Sequence, residues 1–380
     1  MRLLEYQGKE ILRRHKVPTP RGIVASTIEE ASKAAAELDP VVIKVQIPTG
    51  GRGKAGGILP ADGPAKAAEQ AKALLGRQIK GFTVEQVLVE ERVTFKQELY
   101  LGITVDNRHG HSVLMFCPSG GMDIEEVAAN HPELIYKLPL FAGKEPAEYE
   151  LRNFLRRSGY TGQILAQLTS VAKKLCYCFG YYDLTVAEIN PLVLTEDGQV
   201  IAADCKMEVD DNALFRHPEF GSKKKELTDP LEREARDIGV TYIKLEGNIG
   251  IIASGAGLGM NTMDLILEAG HRPANFLETG GGITRELIRK AVLLVAKHEG
   301  VEGLIVNLYG GVNPLVEAAR GVVDGWMSLP TRLPIVVKAL GNQQDEAHAV
   351  LKEAGVPIVT TIRTEEAVAE LVRQLEGTRA

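Results

Sequence analysis

The spacing of hydrophobic positions changes character along the chain. Leu3 to His15 repeats with a helical period and stops before Pro18, which predicts an amphipathic helix. Thr27, followed three residues later by Glu30, predicts a second helix opened by a capping box. Val41–Ile47 is a short apolar run broken by Lys44 and reads as a strand; the stretch PTGGRGKAGG after it reads as a loop. Alternation returns at Val84–Val93, Leu99–Val105 and Ser112–Phe116, and a long helix is expected over Gln163–Phe179. Val186–Leu194 and Val200–Met207 read as two strands joined by the Glu196-Asp197-Gly198 turn. Asn212–Gly239, which contains GSKKKELTDP and LEREARD, is charged and poor in strand signals, so a linker with helical pieces is expected.

From Asn248 onward the rhythm is regular. Apolar strands at Ile249–Ala253, Leu304–Leu308, Ile335–Val337 and Ile358–Thr361 alternate with helices at Asn261–Ala269, after Gly310-Gly311, around Ala347–Glu353 and from Glu365. Near-continuous apolar strands alternating with helices predict a doubly wound parallel sheet, which binds ligands at the carboxyl ends of its strands. The fold class is therefore α/β. A length of 380 residues predicts two or three domains.

Composition narrows the function classes. Hydrophobic residues make up 44% and charged residues 25%, ordinary values for a chain with a sizeable core. A net charge of −6 argues against nucleic acid as the main partner, while leaving room for a locally positive pocket that takes anions. No apolar run approaches the ~20 residues of a membrane span. The N-terminal MRLLEYQGKEILRRHK has no apolar signal-peptide core, so a cytoplasmic protein, or the mature form of an organellar one, is expected. Cys117, Cys176, Cys178 and Cys205 form no CxxC pair, and four buried reduced thiols are expected.

Four constellations could carry chemistry. Gly50–Gly57, GGRGKAGG, lets backbone N–H groups approach a polyphosphate and adds Arg52 and Lys54; it is not a Walker A loop, and a flexible surface turn is the alternative. Glu188, Asn190, Asp204 and Lys206 form the second: an amide oxygen and a carboxylate facing each other across two strands suit Mg²⁺, though on these residues alone an ordinary solvated polar pair is the favoured reading. Gly255-Ala256-Gly257-Leu258-Gly259 after a strand, with Glu278 about twenty residues on, is the third and admits a dinucleotide site, although the spacing is GxGxG and not GxGxxG. In the fourth, Tyr309–Pro314, Asn313 as N-cap and Pro314 at the first helical position would present a helix N-terminus to a phosphoryl group or carboxylate. Glu90, Glu91 and Glu98 at strand ends could accept from a base or a ribose.

The strings GGRGKAGG, AEINPLV at Ala187–Val193, DDNALFRHPEF at Asp210–Phe220, GNIG at Gly247–Gly250, GAGL at Gly255–Leu258 and PANFLETGGG at Pro273–Gly282, with the opening LLEYQGKEIL, resemble the beta subunits of succinate–CoA ligase in order over nearly the whole chain. The resemblance implies an ATP-grasp domain over residues 1–230, with 20–95 as its smaller lobe, and a flavodoxin-like CoA-ligase domain over 231–380. It implies an ADP-forming acid–thiol ligase of the tricarboxylic acid cycle type: ATP or GTP, a small carboxylate and CoA interconvert with acyl-CoA, nucleoside diphosphate and phosphate. A phosphohistidine on a partner alpha subunit carries the phosphoryl group, so an obligate heterodimer or heterotetramer follows, with neither nucleic acid nor membrane as partner. By matching position, Lys44, Gly51, Arg52, Gly53, Glu90, Val93 and Glu98 look like nucleotide contacts, Asn190 and Asp204 like Mg²⁺ ligands, and Glu188 like the carboxylate that receives the partner's histidine. Pro20 is similar to members that use ATP.

Two positions differ from the family pattern. Ser254 stands where members place an asparagine, and Gly311-Val312-Asn313-Pro314 replaces a loop that in succinate enzymes continues with arginine. Ser254, Gly311, Val312 and Asn313 are therefore the candidate substrate contacts. The acid stays open among succinate, malate (which Gly120–Ile124 also resembles) and another short, including sulfonated, acid. An NAD-binding oxidoreductase built on GAGLG, and a non-catalytic subunit that scaffolds its partner, are the readings from other classes.

Overall fold

The structure, a computed structural model, describes residues 1–221 and 227–379. The chain forms two compact units, residues 1–226 and 227–380. The second unit includes the helix Pro230–Ile238, which crosses the expected 230/231 boundary; its Ala235 enters that unit's core. Of the expected charged linker, residues 222–226 lie outside the described residues.

The first unit holds two sheets. In chain order its strands are β1 (Gly22–Ala25), β2 (Val41–Val45), β3 (Ile58–Ala61), the two-residue ribbon β4 (Gln78–Ile79) and β5 (Phe82–Thr83), and β6 (Val87–Glu91). An antiparallel sheet in the order β1-β6-β2-β3 packs against the helices Ile28–Leu38 and Gly63–Leu74. The two-residue period of β2 sends Val41, Ile43 and Val45 into this core and Lys44 to the opposite face. At the first of these helices, Thr27 Oγ1 accepts from Glu30 N at 3.1 Å as expected. Glu30 reaches back one residue further than a capping box requires, accepting from Ser26 N at 2.7 Å.

The larger sheet comprises β7 (Gln97–Asp106), β8 (His111–Cys117), β9 (Tyr136–Leu140), β10 (Leu184–Leu194), β11 (Val200–Ala202) and β12 (Lys206–Val209). Helices Glu5–Arg14, Glu148–Arg156 and Gly162–Tyr181 contribute with it to one core, built from Leu12, Leu101, Phe116, Leu151, Leu175 and Ile189 among others. The expected return strand Val200–Met207 is in fact two short strands, because β10 cannot keep its ladder intact. Pro191 has no N–H to give, and the register of β10 against β7 shifts between Ile189 and Leu192. Opposite this irregularity residues 203–205 leave the sheet, with β11 pairing at Leu192–Leu194 and β12 at Leu184–Glu188. Asp204 is therefore on a connecting segment, not on a strand as expected.

The second unit is one six-stranded sheet of β13 (Thr241–Lys244), β14 (Ile249–Ala253), β15 (Asn275–Glu278), β16 (Gly303–Gly310), β17 (Ile335–Gly341) and β18 (Ile358–Val359), in the order β13-β15-β14-β16-β17-β18. All neighbours are parallel except β13 and β15. The sequence pattern missed β15 and the antiparallel edge strand β13, whose four residues Thr-Tyr-Ile-Lys bury only Tyr242 and so give no apolar run. The strand order reverses between β14 and β16, so the switch point of this doubly wound sheet lies at Ser254 and at Tyr309–Asn313. Two local expectations are corrected there. The helix Ala256–Glu268 begins inside GAGLG and not at Asn261, and Gly259 serves close packing: a Cβ on it would lie 2.9 Å from the Phe276 ring. Pro314, not Asn313, is the N-cap of the helix Leu315–Met327.

All four cysteines are free; Cys117, Cys178 and Cys205 are buried as expected, whereas Cys176 is only half-buried. Among the described residues no helix is long and apolar enough to cross a membrane.

One buried side chain repairs the ladder of the second sheet. The registered pairing of β14 with β15 is a single position, Ala253 opposite Glu278. Fully buried Asn275 supplies what is missing nearby: its Oδ1 accepts from Ile251 N at 3.0 Å and its Nδ2 donates to Ile251 O at 2.9 Å. Asn275→Ala strands a donor and an acceptor in the core and is expected to destabilise this unit by about 2–4 kcal/mol. Urea unfolding measures this, and a shift under 0.5 kcal/mol would show that the clamp contributes nothing.

Candidate functional site

A cavity of about 570 Å³ opens in the first unit between the glycine-rich loop, the segment after β8 and the broken edge of β10. Gly51, Arg52, Gly53, Lys54, Glu98, Glu188, Asn190 and Asp204 all line it, so the first two sequence constellations meet in one place. The loop turns back on itself through Ala55 N to Gly51 O at 3.3 Å and Gly57 N to Arg52 O at 2.8 Å. Gly51 has φ +68°, a left-handed backbone that side chains disfavour.

Arg52 does not project from this loop as a solvated charge. It is buried, donating from Nη1 to Glu5 Oε2 at 2.7 Å and from Nη2 to Asp204 Oδ1 at 2.7 Å. Lys44 is also buried, and donates to Glu5 Oε1 at 3.0 Å, Glu90 Oε2 at 2.6 Å and Ala203 O at 2.8 Å. Burial works to lower both cations' pKa values, but neighbouring carboxylates outweigh it and raise them: Glu5 and Glu90 for Lys44, Asp204 and Glu5 for Arg52. Both stay fully charged. Of the other expected nucleotide contacts, Glu90 lies behind the cavity, ion-paired to Lys9 and Lys44, and Val93 is half-buried in the connection from β6 to β7. Lys44, Glu90 and Val93 do not line the cavity.

The break in β10 aims the polar groups. Asn190 Oδ1 accepts from Gly121 N at 2.9 Å, and its Nδ2 donates to Met122 O at 2.9 Å and towards Glu188 Oε1 at 3.4 Å. Asp204 Oδ1 accepts from Arg52 and from Cys205 N. Sequence position alone puts Asn190 and Asp204 opposite each other, since residues 188 and 192 pair with 206 and 202. Glu188 faces Lys206 at 3.8 Å. Burial raises its carboxyl pKa above the ordinary value, with Lys206 and the Asn190 hydrogen bond working in the opposite direction.

Sequence reasoning missed two parts of this site. Gly120 and Gly121 seat the segment that carries Asp123 and Glu125 against β7: Gly120 N donates to Glu98 O at 2.8 Å, and a Cβ on Gly121 (φ +73°) would lie 2.1 Å from Glu98 Oε2. A Gly-Gly pair ahead of Asp123, which caps the helix Ile124–Asn130, was the available signal. Glu5 and Lys9 fall within the expected amphipathic helix, and no local pattern marks them as buried.

In the second unit Ser254 Oγ accepts from Tyr309 N at 2.8 Å and donates to Tyr309 O at 3.3 Å, joining β14 to β16 at the switch point. The adjoining loop is tied down: Asn313 Nδ2 donates to Gly281 O at 2.7 Å, and Asn342 Nδ2 to Val312 O at 3.0 Å. Val312 itself is 88% exposed. Glu278, the ribose ligand in the dinucleotide reading, accepts from Gly280 N at 2.8 Å. A second cavity of about 500 Å³, between the helices Pro230–Ile238 and Arg285–Ala296, contains none of the candidate residues.

Comparisons with known proteins agree with this division. Residues 2–194 match the ATP-grasp domain family and residues 252–372 the CoA-ligase family. The chain is 44% identical over 379 residues to the beta subunit of a GDP-forming succinate–CoA ligase of Thermus thermophilus, covering 99% of this chain and 100% of that one. It is 41% identical over 375 residues to the ADP-forming counterpart of Ignicoccus hospitalis, covering 98% and 99%. Among solved structures, ATP citrate lyase of Methanothrix soehngenii in complex with citrate and coenzyme A shares the fold, with a TM-score of 0.77, 16% identity and coverage of 98% and 99%. Nothing in these matches supports the oxidoreductase reading.

The raised Glu188 pKa carries a sign that can be checked. The folded chain holds this proton to higher pH than the unfolded chain, so the group favours folding in acid and opposes it once it ionises. Glu188→Gln is therefore expected to melt higher than the parent at neutral pH, and the gap should close on acidification into the ordinary carboxylate range. Melting curves over pH test this; a gap independent of pH contradicts it.

Proposed function

This chain belongs to the succinate–CoA ligase beta-subunit family, and from that premise we propose that its first unit holds a magnesium nucleoside triphosphate for transfer of the terminal phosphoryl group to a histidine of an alpha-type partner. It is the nucleotide-binding beta subunit of an acid–thiol ligase and works with an alpha subunit. The overall reaction joins a short carboxylic acid to CoA, with nucleoside triphosphate converted to diphosphate and phosphate. One observation carries the reading: the glycine-rich loop, the fully charged buried Arg52, an amide–carboxylate pair and a carboxylate of raised pKa converge on a single cavity, and Lys44 is held behind it by Glu5, which also lines it.

The donor set fits magnesium. Asn190 and Asp204 offer two hard oxygens on one cavity wall, and the ion takes one or two protein carboxylate or amide oxygens and completes its shell with phosphate and water. When bound, magnesium supplies neutralisation of the charge on the phosphoryl oxygens. The protein's own work is positional. The backbone of Gly51–Gly53 cradles the phosphates, Lys44 and Arg52 oppose their charge, and Glu98 accepts from the nucleoside. As the bond from the γ-phosphorus to its bridging oxygen breaks, a bond to the imidazole nitrogen forms. Glu188 orients the ring by accepting its other N–H and balances the positive charge that develops there.

The acid is succinate in the first reading. Malate or another short acid is the second, favoured by Ser254 and by a Gly311–Asn313 loop that offers exposed Val312 and an amide where a cation is the family rule. Between ATP and GTP, Pro20 and the ADP-forming relatives favour ATP, while the relative at 44% identity is GDP-forming.

The test is co-expression with the alpha-type partner and incubation with γ-labelled nucleotide and magnesium. Label is expected on an alpha-subunit histidine, more from ATP than from GTP. Glu188→Ala should cut labelling at least a hundredfold with the heteromer intact; undiminished labelling would make this chain a scaffold. Asp204→Asn should raise the magnesium concentration needed for half-maximal labelling about tenfold, and an unchanged requirement removes Asp204 from the metal site. A screen of short acids for CoA-dependent diphosphate release assigns the substrate.

A further inference from the structure

The N-terminal helix Glu5–Arg14 buries two charged residues, Glu5 and Lys9, on the face that carries Gly8, Ile11 and Leu12 into the core. Such residues are almost never fully buried without a partner. Here the helix approaches the broken sheet edge closely, because Gly8 has no side chain: a Cβ there would lie 2.7 Å from Cys205 Sγ. At that approach Glu5 becomes the common acceptor for every cation at the back of the cavity. Its Oε1 accepts from Lys9 at 2.8 Å and Lys44 at 3.0 Å, and its Oε2 accepts from Arg52 at 2.7 Å. Among the described residues Glu5 alone forms ion pairs with both Lys44 and Arg52. Burial works to raise its pKa, but Arg52, Lys44 and Lys9 hold it well below the carboxylate range.

We infer that Glu5 is a positioning residue for nucleotide binding, fixing the Lys44 and Arg52 head groups at a set separation through its two carboxylate oxygens. The inference rests on the phosphate-binding reading of those two cations. Three carboxylates (Glu5, Glu90, Asp204) balance three cations (Lys9, Lys44, Arg52), so the cluster is neutral as it stands. Lys9 completes that balance, donating also to Glu90 and to Ala203 O at 2.7 Å. Two separable roles follow. Charge balance concerns the stability of the fold, and the bridging of Lys44 to Arg52 concerns the nucleotide.

The assembled complex with the alpha-type partner is used for the test, with Glu5→Gln, Glu5→Asp and the rebalanced double variant Glu5→Gln/Lys9→Met. Loss of a charge-assisted contact predicts a rise of about tenfold or more in the nucleotide KM for Glu5→Gln, with KM for CoA and for the acid within about twofold. The double variant should regain the melting temperature without regaining the nucleotide KM. Glu5→Asp keeps the charge but shortens the bridge, and should raise the nucleotide KM at near-parental stability; it gives the readout if Glu5→Gln does not fold. An unchanged nucleotide KM, or a double variant that restores KM together with stability, overturns the inference. If the parent complex binds nucleotide and Arg52→Met weakens it while the Glu5 variants do not, the inference alone falls. A parent complex that binds no nucleotide overturns the reading beneath it.

Discussion

A cation taken out of water stays charged only where carboxylates compensate it, and the first unit is organised around that requirement. Arg52 at the cavity wall and Lys44 behind it are both buried, and both are ionised. The desolvation of such groups costs several kcal/mol each unless hydrogen bonds and opposite charge offset it. The chain meets the cost with acceptors from three distant stretches: Glu5 from the first helix, Glu90 from β6, and Asp204 with Ala203 O from the connection between β11 and β12. Ala203 O can accept from two lysines because its segment has left the sheet. The irregularity at Asn190-Pro191 therefore serves two ends, presenting Asn190 to the cavity and freeing a backbone carbonyl for the cations behind it.

Much of this was legible in the sequence, for definable reasons. Period-two and near-continuous apolar runs located β2, β7, β8, β10, β14 and β16, since strands that bury one or both faces cannot hide that pattern. The loop Gly50–Gly57 and the facing of Asn190 and Asp204 were each legible because short-range spacing constrains each of them, whereas their meeting in one cavity was not. What remained hidden depends on long-range approach. Glu5 and Lys9 have the look of a solvated helix face until the absent side chain of Gly8 brings them against residues 203–205. The segment 203–205 itself reads as strand because its residues alternate; only the proline on the facing strand argues otherwise, and that signal acts across the sheet. The N-cap at Pro314 in place of Asn313 is a miss by one residue, and the amide instead ties two loops together.

The second unit shows how a shared fold leaves room for variation in one loop. Its parallel sheet, switch point and glycine-bearing loops are common property of the architecture, and the low identity to ATP citrate lyase at a TM-score of 0.77 illustrates how little sequence the fold demands. The loop around Val312 is held by amide contacts from Asn313 and Asn342, not by charge. A loop held in this way keeps its shape whatever side chain stands at 312, so that position can vary without disturbing the sheet.

The interrupted border of the large sheet also bears on how the protein behaves in a crowded solution. An uninterrupted outer strand is an invitation for a foreign strand to zip on and seed aggregates. Here that border is divided into β11, three residues long, and β12, four residues long, and the beginning of the chain bridges to the latter at Arg2–Glu208. Neither piece offers a long run of open backbone to recruit a stranger, so the distortion that shapes the cavity also blunts this border of the sheet.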